Sequence, residues 1–326
     1  YSNNSNLSIN SPTDEVTQSN TTQNEKVYTC DDPMAPFSKH TTFIDLHSNR
    51  LSEISQNILI KSLEELHISD NFISEIPADI KKCSSLRYFN ISHNPISELP
   101  QQGFSHDLAF LFVSFCNLTS LPNSLRSSSI KTLVATNNNL QEIPKLSSVH
   151  ALYLSSNKLT SFPFVPMSIK TLDLSNNQIT DFPPQLLIAK SKTSNPNVFP
   201  SLEVFDISFN QITKMADFSG CPVLKILRIN DNPINSIADP SSFPSSLAIL
   251  DISNTSITFS SQLKIKCEIY THMNSNEIIT PRRPRTNSMN LINPPAPDPK
   301  RIKLSIFHRS PEKRLHQSHT KLTILK

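Results

Sequence analysis

The sequence has very little glycine and no tryptophan. Its 326 residues include two glycines, Gly103 and Gly220. Phosphate-binding P-loops, dinucleotide-binding turns and kinase glycine loops all need several glycines close together, so their absence argues against these nucleotide sites. Long apolar runs are also absent. The longest, residues 108–113, is far too short to cross a bilayer, and no transmembrane segment is predicted.

Cysteine is scarce as well, with five residues that are an odd number and lie far apart. No two of them form a C-x-x-C pair, so neither a disulfide framework nor a zinc site is predicted. The chain starts with polar residues rather than an apolar signal segment. We therefore expect a reducing compartment, the cytoplasm or the nucleus. The first residue is Tyr1 rather than methionine, which is compatible with a piece of a longer protein.

Most of the chain repeats one pattern, which is clearest from Leu86 to Pro100. With this unit numbered from one to fifteen, apolar residues occupy places one, four, six, eleven and fourteen, asparagine occupies place nine and proline place fifteen. The pattern returns about every 22 residues, and ten units align on it. Self-similarity of this period indicates one elongated repeat domain rather than two globular domains.

Places four and six flank one residue, so they point to the same side of an extended strand, and places three and five point to the other. Because one unit cannot shield its own apolar residues, units must stack with their strands parallel. The pattern resembles the leucine-rich repeat, L-x-x-L-x-L-x-x-N/C-x-L, in the proline-containing form of Ras-suppressor-type intracellular repeats. This resemblance implies an α/β fold, a curved leucine-rich-repeat solenoid with a parallel β-sheet on its concave face and short helical or extended segments on its convex face.

The asparagine at place nine lies where the chain leaves the strand. An amide can both donate and accept hydrogen bonds, so we expect an internal ladder to the backbone of the turns. Cysteine is a variant that the family pattern permits, whereas Thr255 departs from it. The predicted ladder positions are Asn49, Asn71, Asn94, Cys116, Asn138, Asn157, Asn177, Asn210 and Asn232.

The repeats leave distinct segments at both ends. The predicted order is a disordered polar arm at 1–26, an N-terminal cap at 27–40, ten repeats at 41–261 with an insertion near 185–201, a C-terminal capping strand at 262–272 and a disordered basic tail at 273–326. The cap is expected to cover the open side of the first strand. Proline-rich, cationic composition is typical of a flexible tail.

The concave face offers a surface for binding. Side chains at places three and five line it, and exposed aromatic residues are typical of interface hot spots. We define the aromatic patch as Tyr88, Phe110, Phe112, Phe115, Val134 and Tyr153, and the acidic strip as Asp173, Asp206 and Asp251, with Arg228 among the acids. The alternative is that tails or neighbouring segments cover these residues.

The tail carries short motifs. Lys300, Arg301 and Lys303 resemble a nuclear import signal, and Thr280, Ser288 and Ser310 match the spacing of kinase sites. Phosphate there would cancel positive charge. Nucleic-acid binding is not favoured, because no aromatic residues interleave with the basic ones.

These features predict a non-catalytic protein-interaction module, an intracellular adaptor or scaffold in signal transduction whose partner is another protein. No acid, base, nucleophile or metal ligands fall at a suitable spacing on one face, so no enzyme activity, cofactor or metal site is predicted, and His67, His93 and His150 are not expected to hold a metal. The family resemblance suggests a small GTPase or a phosphatase as partner. The alternative is the targeting region of a larger signalling enzyme, since similar repeats are joined to protein phosphatase and adenylyl cyclase domains.

Overall fold

The computed structural model describes residues 39–187, 198–260 and 267–271, together with the backbone of 301–303. Nearly all its regular structure is strands of two or three residues. They are β1 (Phe43–Asp45), β2 (Glu65–His67), β3 (Tyr88–Asn90), β4 (Phe110–Phe112), β5 (Thr132–Val134), β6 (Ala151–Tyr153), β7 (Thr171–Asp173), β8 (Val204–Asp206), β9 (Ile226–Arg228), β10 (Ile237–Ala238), β11 (Ile249–Asp251), β12 (Thr258–Phe259), β13 (Glu268–Tyr270) and β14 (Arg301–Lys303).

Within the described residues, one parallel sheet has the strand order β13-β11-β9-β8-β7-β6-β5-β4-β3-β2-β1-β14. Each repeat contributes its places three to five, and places of the same number are registered across every repeat-to-repeat pair, as Leu66 is with Phe89. β10 and β12 form a small second parallel sheet. The predicted solenoid with a concave parallel sheet is therefore confirmed.

The convex side contains little helix. Short 3₁₀ helices lie at Gln56–Ile58, Ala78–Lys82, Asn123–Ser127 and Pro240–Ser242, and one short α-helix, α1, at Pro184–Leu187. Prolines precede the second and third of these 3₁₀ helices, as expected from their fixed φ. The two shortest repeats, near residues 138–177, have no helix in their return segments. No helix in the described part of the chain is long and apolar enough to cross a membrane.

The core is a continuous column of side chains from places one, four, six and eleven, most of them fully buried. Burying an aliphatic side chain is worth roughly 1.5–3 kcal/mol, so stacking supplies the stability that one repeat lacks. In the carboxyl half, phenylalanines add edge-to-face contacts. The Phe182 and Phe218 ring centroids are 5.5 Å apart at an interplanar angle of 86°.

The asparagines at place nine join successive repeats. Asn94 Nδ2 donates to the Ile68 carbonyl of the preceding repeat at 2.9 Å and to the Ile91 carbonyl of its own at 2.9 Å. Its Oδ1 accepts from the Ile73 N–H at 3.0 Å. The same two-way bonding occurs at Asn71, Asn138, Asn157, Asn177, Asn210 and Asn232.

The two ends of the sheet differ from what the sequence suggests. At the carboxyl end the predicted capping strand is observed as β13, which pairs with β11, but Glu268, Ile269 and Tyr270 are exposed, because no further described strand stacks on them. At the amino end the strand beside β1 is β14, which comes from the predicted flexible tail. The predicted arm at 1–26, most of the predicted cap (27–38) and the core of the insertion (188–197) lie outside the described residues.

Candidate protein-binding surface

The sheet places the predicted aromatic patch on neighbouring strands of the concave face. Tyr88, Phe110 and Phe112 lie on β3 and β4, with Val134 on β5 and Tyr153 on β6. Parallel strands with a constant register bring these side chains side by side. Tyr88, Phe110, Val134 and Tyr153 are partly exposed.

Tyr88 is the centre of this group. Its ring centroid lies 4.9 Å from that of Phe112 and 6.1 Å from that of Phe110. As a result Phe112 is only 6% exposed. The prediction that Phe112 is an exposed side chain is therefore wrong. Burial raises the pKa of the Tyr88 hydroxyl to about 12, helped by the nearby Glu65 and Asp45 carboxylates. Tyr88 is therefore neutral and covers Phe112.

The stack extends further toward the amino end than the sequence indicated. The His67 ring stacks on Tyr88, with ring centroids 4.5 Å apart. The Phe43 ring centroid lies 5.2 Å from that of His67. Both residues occupy the concave places of their strands. Reading the concave places of the first two units together would have found this extension.

Phe115 lies just beyond the sheet, at place eight, where the chain turns. This place has a left-handed backbone in all ten repeats, at Ser48, Asp70, His93, Phe115, Asn137, Ser156, Asn176, Phe209, Asp231 and Asn254. Phe115 has a φ of 53° and is 51% exposed. Its ring stacks on the imidazole of His93, with centroids 4.3 Å apart. We call the stacked pair of Phe115 and His93 the aromatic rim; it marks the edge of the aromatic patch.

Each acid of the acidic strip is bound by a serine two residues later. Asp173 Oδ1 accepts from the Ser175 N–H at 3.0 Å and the Ser175 hydroxyl at 2.7 Å. The same pair of bonds joins Asp206 to Ser208, and Asp251 to Ser253. This role of the serines was not predicted, although Asp-x-Ser occurs in all three repeats. One carboxylate oxygen of each acid therefore closes its own strand end, and the other lies outside this motif; that of Asp206 faces Arg228.

Charge is unevenly compensated along the strip. Asp173 on β7 is registered with Asp206 on β8. Burial, together with the Asp206 charge, raises the pKa of Asp173 to about 6, against the lowering effect of the Ser175 hydrogen bonds. Asp206 in turn lies near Arg228, with Nη1 to Oδ2 at 3.5 Å. Asp173 on β7 is therefore a weakened acid, whereas Asp206 on β8 has Arg228 as a cationic neighbour.

Other exposed apolar side chains did not enter the predicted surface. Phe72 and Phe209 lie in the same turn region as Phe115, at places ten and eight, and are 63% and 49% exposed. Place eight carries no apolar signal in the repeat pattern, so only an alignment of that place across the units could have found Phe209.

The remaining predicted positions, those of the tail motifs, do not contribute to this surface. Thr280, Ser288, Lys300 and Ser310 lie outside the described residues, whereas Arg301 and Lys303 belong to β14. Among the described residues, no group of three or more His, Cys, Asp or Glu side chains is placed to hold a metal ion.

Comparison with known proteins agrees with the repeat architecture. The family model described as Leucine Rich repeats (2 copies) matches residues 61–104 and 168–220. The chain is 28% identical to adenylate cyclase of Schizosaccharomyces pombe over 51% of this chain and 9% of that protein. It is 32% identical to fibromodulin of Gallus gallus over 38% of this chain and 28% of the relative. Human lumican is 28% identical over 63% of this chain and 62% of its own length. The chain therefore spans less than two thirds of each of these relatives.

Solved structures show the same fold. YopM from Yersinia enterocolitica superposes with a TM-score of 0.56 at 26% identity, covering 68% of this chain and 44% of that one. The plant peptide hormone receptor RGFR1, solved in complex with RGF2, has a TM-score of 0.52 at 26% identity, covering 60% of this chain and 33% of the receptor. The repeated pattern, the parallel concave sheet and these similarities together show that the chain is a leucine-rich-repeat protein.

Proposed function

We propose that this chain is a non-catalytic interaction module that binds another protein on its concave face, between the aromatic rim at β3–β4 and the acidic strip at β7–β11. The observation that carries the proposal is Phe115, which is half exposed in a left-handed backbone conformation. The fold alone does not require an aromatic residue there.

The conformation of Phe115 is costly. For a residue with a Cβ, the left-handed region costs roughly 1–2 kcal/mol, and asparagine tolerates it best. Other repeats have asparagine at this place, as at Asn137 and Asn176. Stacking on His93 offsets part of the cost, at about 0.5–1.5 kcal/mol for such a pair. An exposed ring held at this cost is suited to contact with a partner.

The strip defines the rest of the partner. Three carboxylates each retain one oxygen outside the Asp-x-Ser motif. A partner with an apolar anchor at one end and basic residues at the other complements this arrangement. The plant peptide hormone receptor was solved in complex with RGF2, which supports a bound partner on a solenoid of this kind. A small GTPase or a phosphatase stays the partner class suggested by the family resemblance.

The test compares two phenylalanines at the same place. A partner is first isolated by affinity capture on the full chain and identified by mass spectrometry. Phe115→Asn is expected to weaken its binding by at least about tenfold without lowering the melting temperature, because asparagine suits the left-handed backbone. Phe209→Asn makes the same change at place eight of the β8 repeat, beside the acidic strip rather than at the rim, and is expected to weaken binding less; Phe209 has a φ of 52° and is 49% exposed. Equal binding by wild type and Phe115→Asn would contradict the proposal.

A second function is favoured by the similarity to fission-yeast adenylate cyclase over 174 residues. In this alternative the repeats are the targeting region of a larger signalling enzyme. A full-length transcript distinguishes the two, because a catalytic reading frame joined to the repeats supports the alternative and its absence supports the free adaptor.

We also propose a reducing compartment, the cytoplasm or nucleus. Its support is that Cys83, Cys116 and Cys221 are buried free thiols in separate repeats. The kinase sites at Thr280, Ser288 and Ser310 stay predictions, which phosphopeptide mapping of the protein from its own cells would test.

A further inference from the structure

The amino edge of the sheet is occupied by a strand from the far end of the chain. β14 pairs with β1 in parallel, with Arg301 registered to Phe43, Ile302 to Ile44 and Lys303 to Asp45. This is the register that the repeats use among themselves, as in the pairing of β1 with β2. Residues 301–303 therefore take the place of a repeat strand preceding the first one.

The sequence of this segment explains why it fits. Residues 301–305 read Arg-Ile-Lys-Leu-Ser, with apolar residues at the equivalents of places four and six and serine at place seven. The strands of genuine repeats read the same way, as in residues 65–69 (ELHIS), 171–175 (TLDLS), 204–208 (VFDIS) and 249–253 (ILDIS). The tail thus contains one isolated copy of the repeat's strand motif, without the rest of the unit.

Charge favours this segment at this edge. Its two basic positions are registered with Phe43 and Asp45, next to Glu65 and His67 on β2. Opposite charges at registered positions of neighbouring strands stabilise the pair, whereas like charges destabilise it. A basic strand motif therefore suits β1 better than a second acidic one would.

The connecting chain is long enough to reach. The sheet separates β13 from β14 by eleven strand spacings in the order given above, which is about 53 Å at ~4.8 Å each. About 30 residues connect Tyr270 to Arg301, and six of them are prolines between 281 and 299. At the ~3.1 Å per residue of polyproline chains they can span about 95 Å. A tail of this length can return to the amino edge of its own molecule.

We propose that residues 301–303 are a detachable strand that binds the β1 edge of the same molecule and closes the sheet. An unpaired edge strand is a template for other chains, so the bound tail keeps the edge from pairing elsewhere. The same segment overlaps the import-like cluster Lys300, Arg301 and Lys303. While its backbone is paired to β1, this cluster is not available to a receptor, and release of the strand exposes both the cluster and the edge.

The experiment measures amide hydrogen exchange in the full chain. Ile302→Pro removes the amide donor at the centre of β14, and proline is not accepted inside a strand pair. Exchange in peptides covering Phe43–Asp45 is expected to become at least about tenfold faster, while exchange at β5 stays unchanged. Ile292→Pro, the same change in the proline-containing connection nine residues before the strand, is the matched control and is expected to behave as wild type. Equal protection of β1 in wild type and Ile302→Pro would overturn the proposal.

A dilution series separates binding within one molecule from binding between two. If the tail belongs to the same molecule, protection of β1 is independent of protein concentration and light scattering gives the monomer mass. Protection that falls on dilution together with a dimer mass would assign the strand to a second copy and overturn the proposal. Neither measurement depends on the concave-face partner, so this inference stands or fails separately from the proposed function.

Discussion

Asp173 and Asp206 lie at registered positions on neighbouring strands and place two carboxylates side by side on the concave face. Each is fixed by its own serine, through a hydroxyl at 2.7 Å from Asp173 Oδ1 and 2.6 Å from Asp206 Oδ1. The motif that closes the strand ends therefore also concentrates like charge. Arg228 approaches Asp206 but not Asp173, so the uncompensated charge is that of Asp173.

This relationship predicts a pH-dependent stability. Burial and the Asp206 charge raise the pKa of Asp173 to about 6, above that of an unfolded aspartate at about 3.9. The folded state therefore binds the extra proton, and the stability it gives is fully present below about pH 4 and lost as the pH rises through about 6. Asp173→Asn keeps an acceptor for Ser175 and removes the charge. It is expected to raise the free energy of unfolding at pH 8 by about 1–2 kcal/mol.

Urea unfolding between pH 4.5 and pH 8 measures this effect. In the Asp173→Asn protein the change of stability across that range should be smaller than in wild type. Asp251→Asn alters the same motif beside Arg228, with which Asp251 is registered, and is expected to bring no gain at pH 8. An Asp173→Asn protein with the wild-type pH slope would contradict the electrostatic argument.

Asn94 predicts the cost of breaking the asparagine ladder. Its amide serves three buried groups, the carbonyls of Ile68 and Ile91 and the N–H of Ile73. Asn94→Ala leaves the Ile73 N–H without its acceptor and the Ile91 carbonyl with only the long contact to the Cys116 thiol, whereas the Ile68 carbonyl keeps the Asn71 amide. An unpaired buried group costs about 1–3 kcal/mol. We expect a loss of at least about 2 kcal/mol in the free energy of unfolding. Asn117 in the following repeat is exposed, so Asn117→Ala should change the free energy of unfolding by less than about 0.5 kcal/mol. Chemical denaturation of both variants measures the two changes.

Cys116 interrupts the same ladder, so replacing it with asparagine is expected to raise the free energy of unfolding. In most repeats the N–H at place eleven donates to the asparagine of the next repeat, but Ile96 faces a thiol there and its N–H turns back to the Asn94 carbonyl at 2.8 Å. The thiol makes only long contacts, at 3.7 Å to the Ile91 carbonyl and 3.6 Å to that of Ser114. Cys116→Asn is expected to restore the interrepeat bond and stabilise the fold by about 1 kcal/mol.

The control for this substitution is Cys83→Asn. Cys83 is buried in the core, away from any ladder position, so an amide there lacks the place-nine partners and should cost about 1–3 kcal/mol. The pair is compared by thermal melting. If Cys116→Asn were as destabilising as Cys83→Asn, place nine would have no special capacity for an amide in this repeat.

Much of the fold follows from the sequence because the repeat constrains it. Once Leu66, Phe89 and Leu111 are read as place four, their pairing on successive strands is fixed, and the structure has that register. Side-chain packing across strands is not fixed by the period. Tyr88 covers Phe112 because of the rotamers that the two side chains adopt. The repeat pattern predicts only which face of the sheet a side chain lies on, so it does not predict this contact.

The strand at residues 301–303 was missed for a different reason. A search for whole units requires the asparagine at place nine and the apolar residue at place eleven, and the tail segment has Phe307 and Arg309 at these places. Only its first half matches. Since β14 pairs with β1 through places three to five, a search with the strand motif alone would have found it. The segment that pairs with the sheet is therefore shorter than a whole repeat.

The cysteines predict a graded reactivity that reports on local opening. Burial raises the pKa of the Cys83 and Cys116 thiols to about 11 and that of Cys221 to about 12. The attacking species is the thiolate, so at pH 8 these three react only when their repeats open. Cys267, beside the exposed β13, is half-buried. We expect alkylation of Cys267 to be at least about a hundredfold faster than that of Cys221.

Peptide mapping by mass spectrometry after a timed pulse of iodoacetamide measures each rate. In 6 M urea the rates of the two thiols should become similar, whereas rapid native labelling of Cys221 would show that the carboxyl repeats open far more readily than their packing implies.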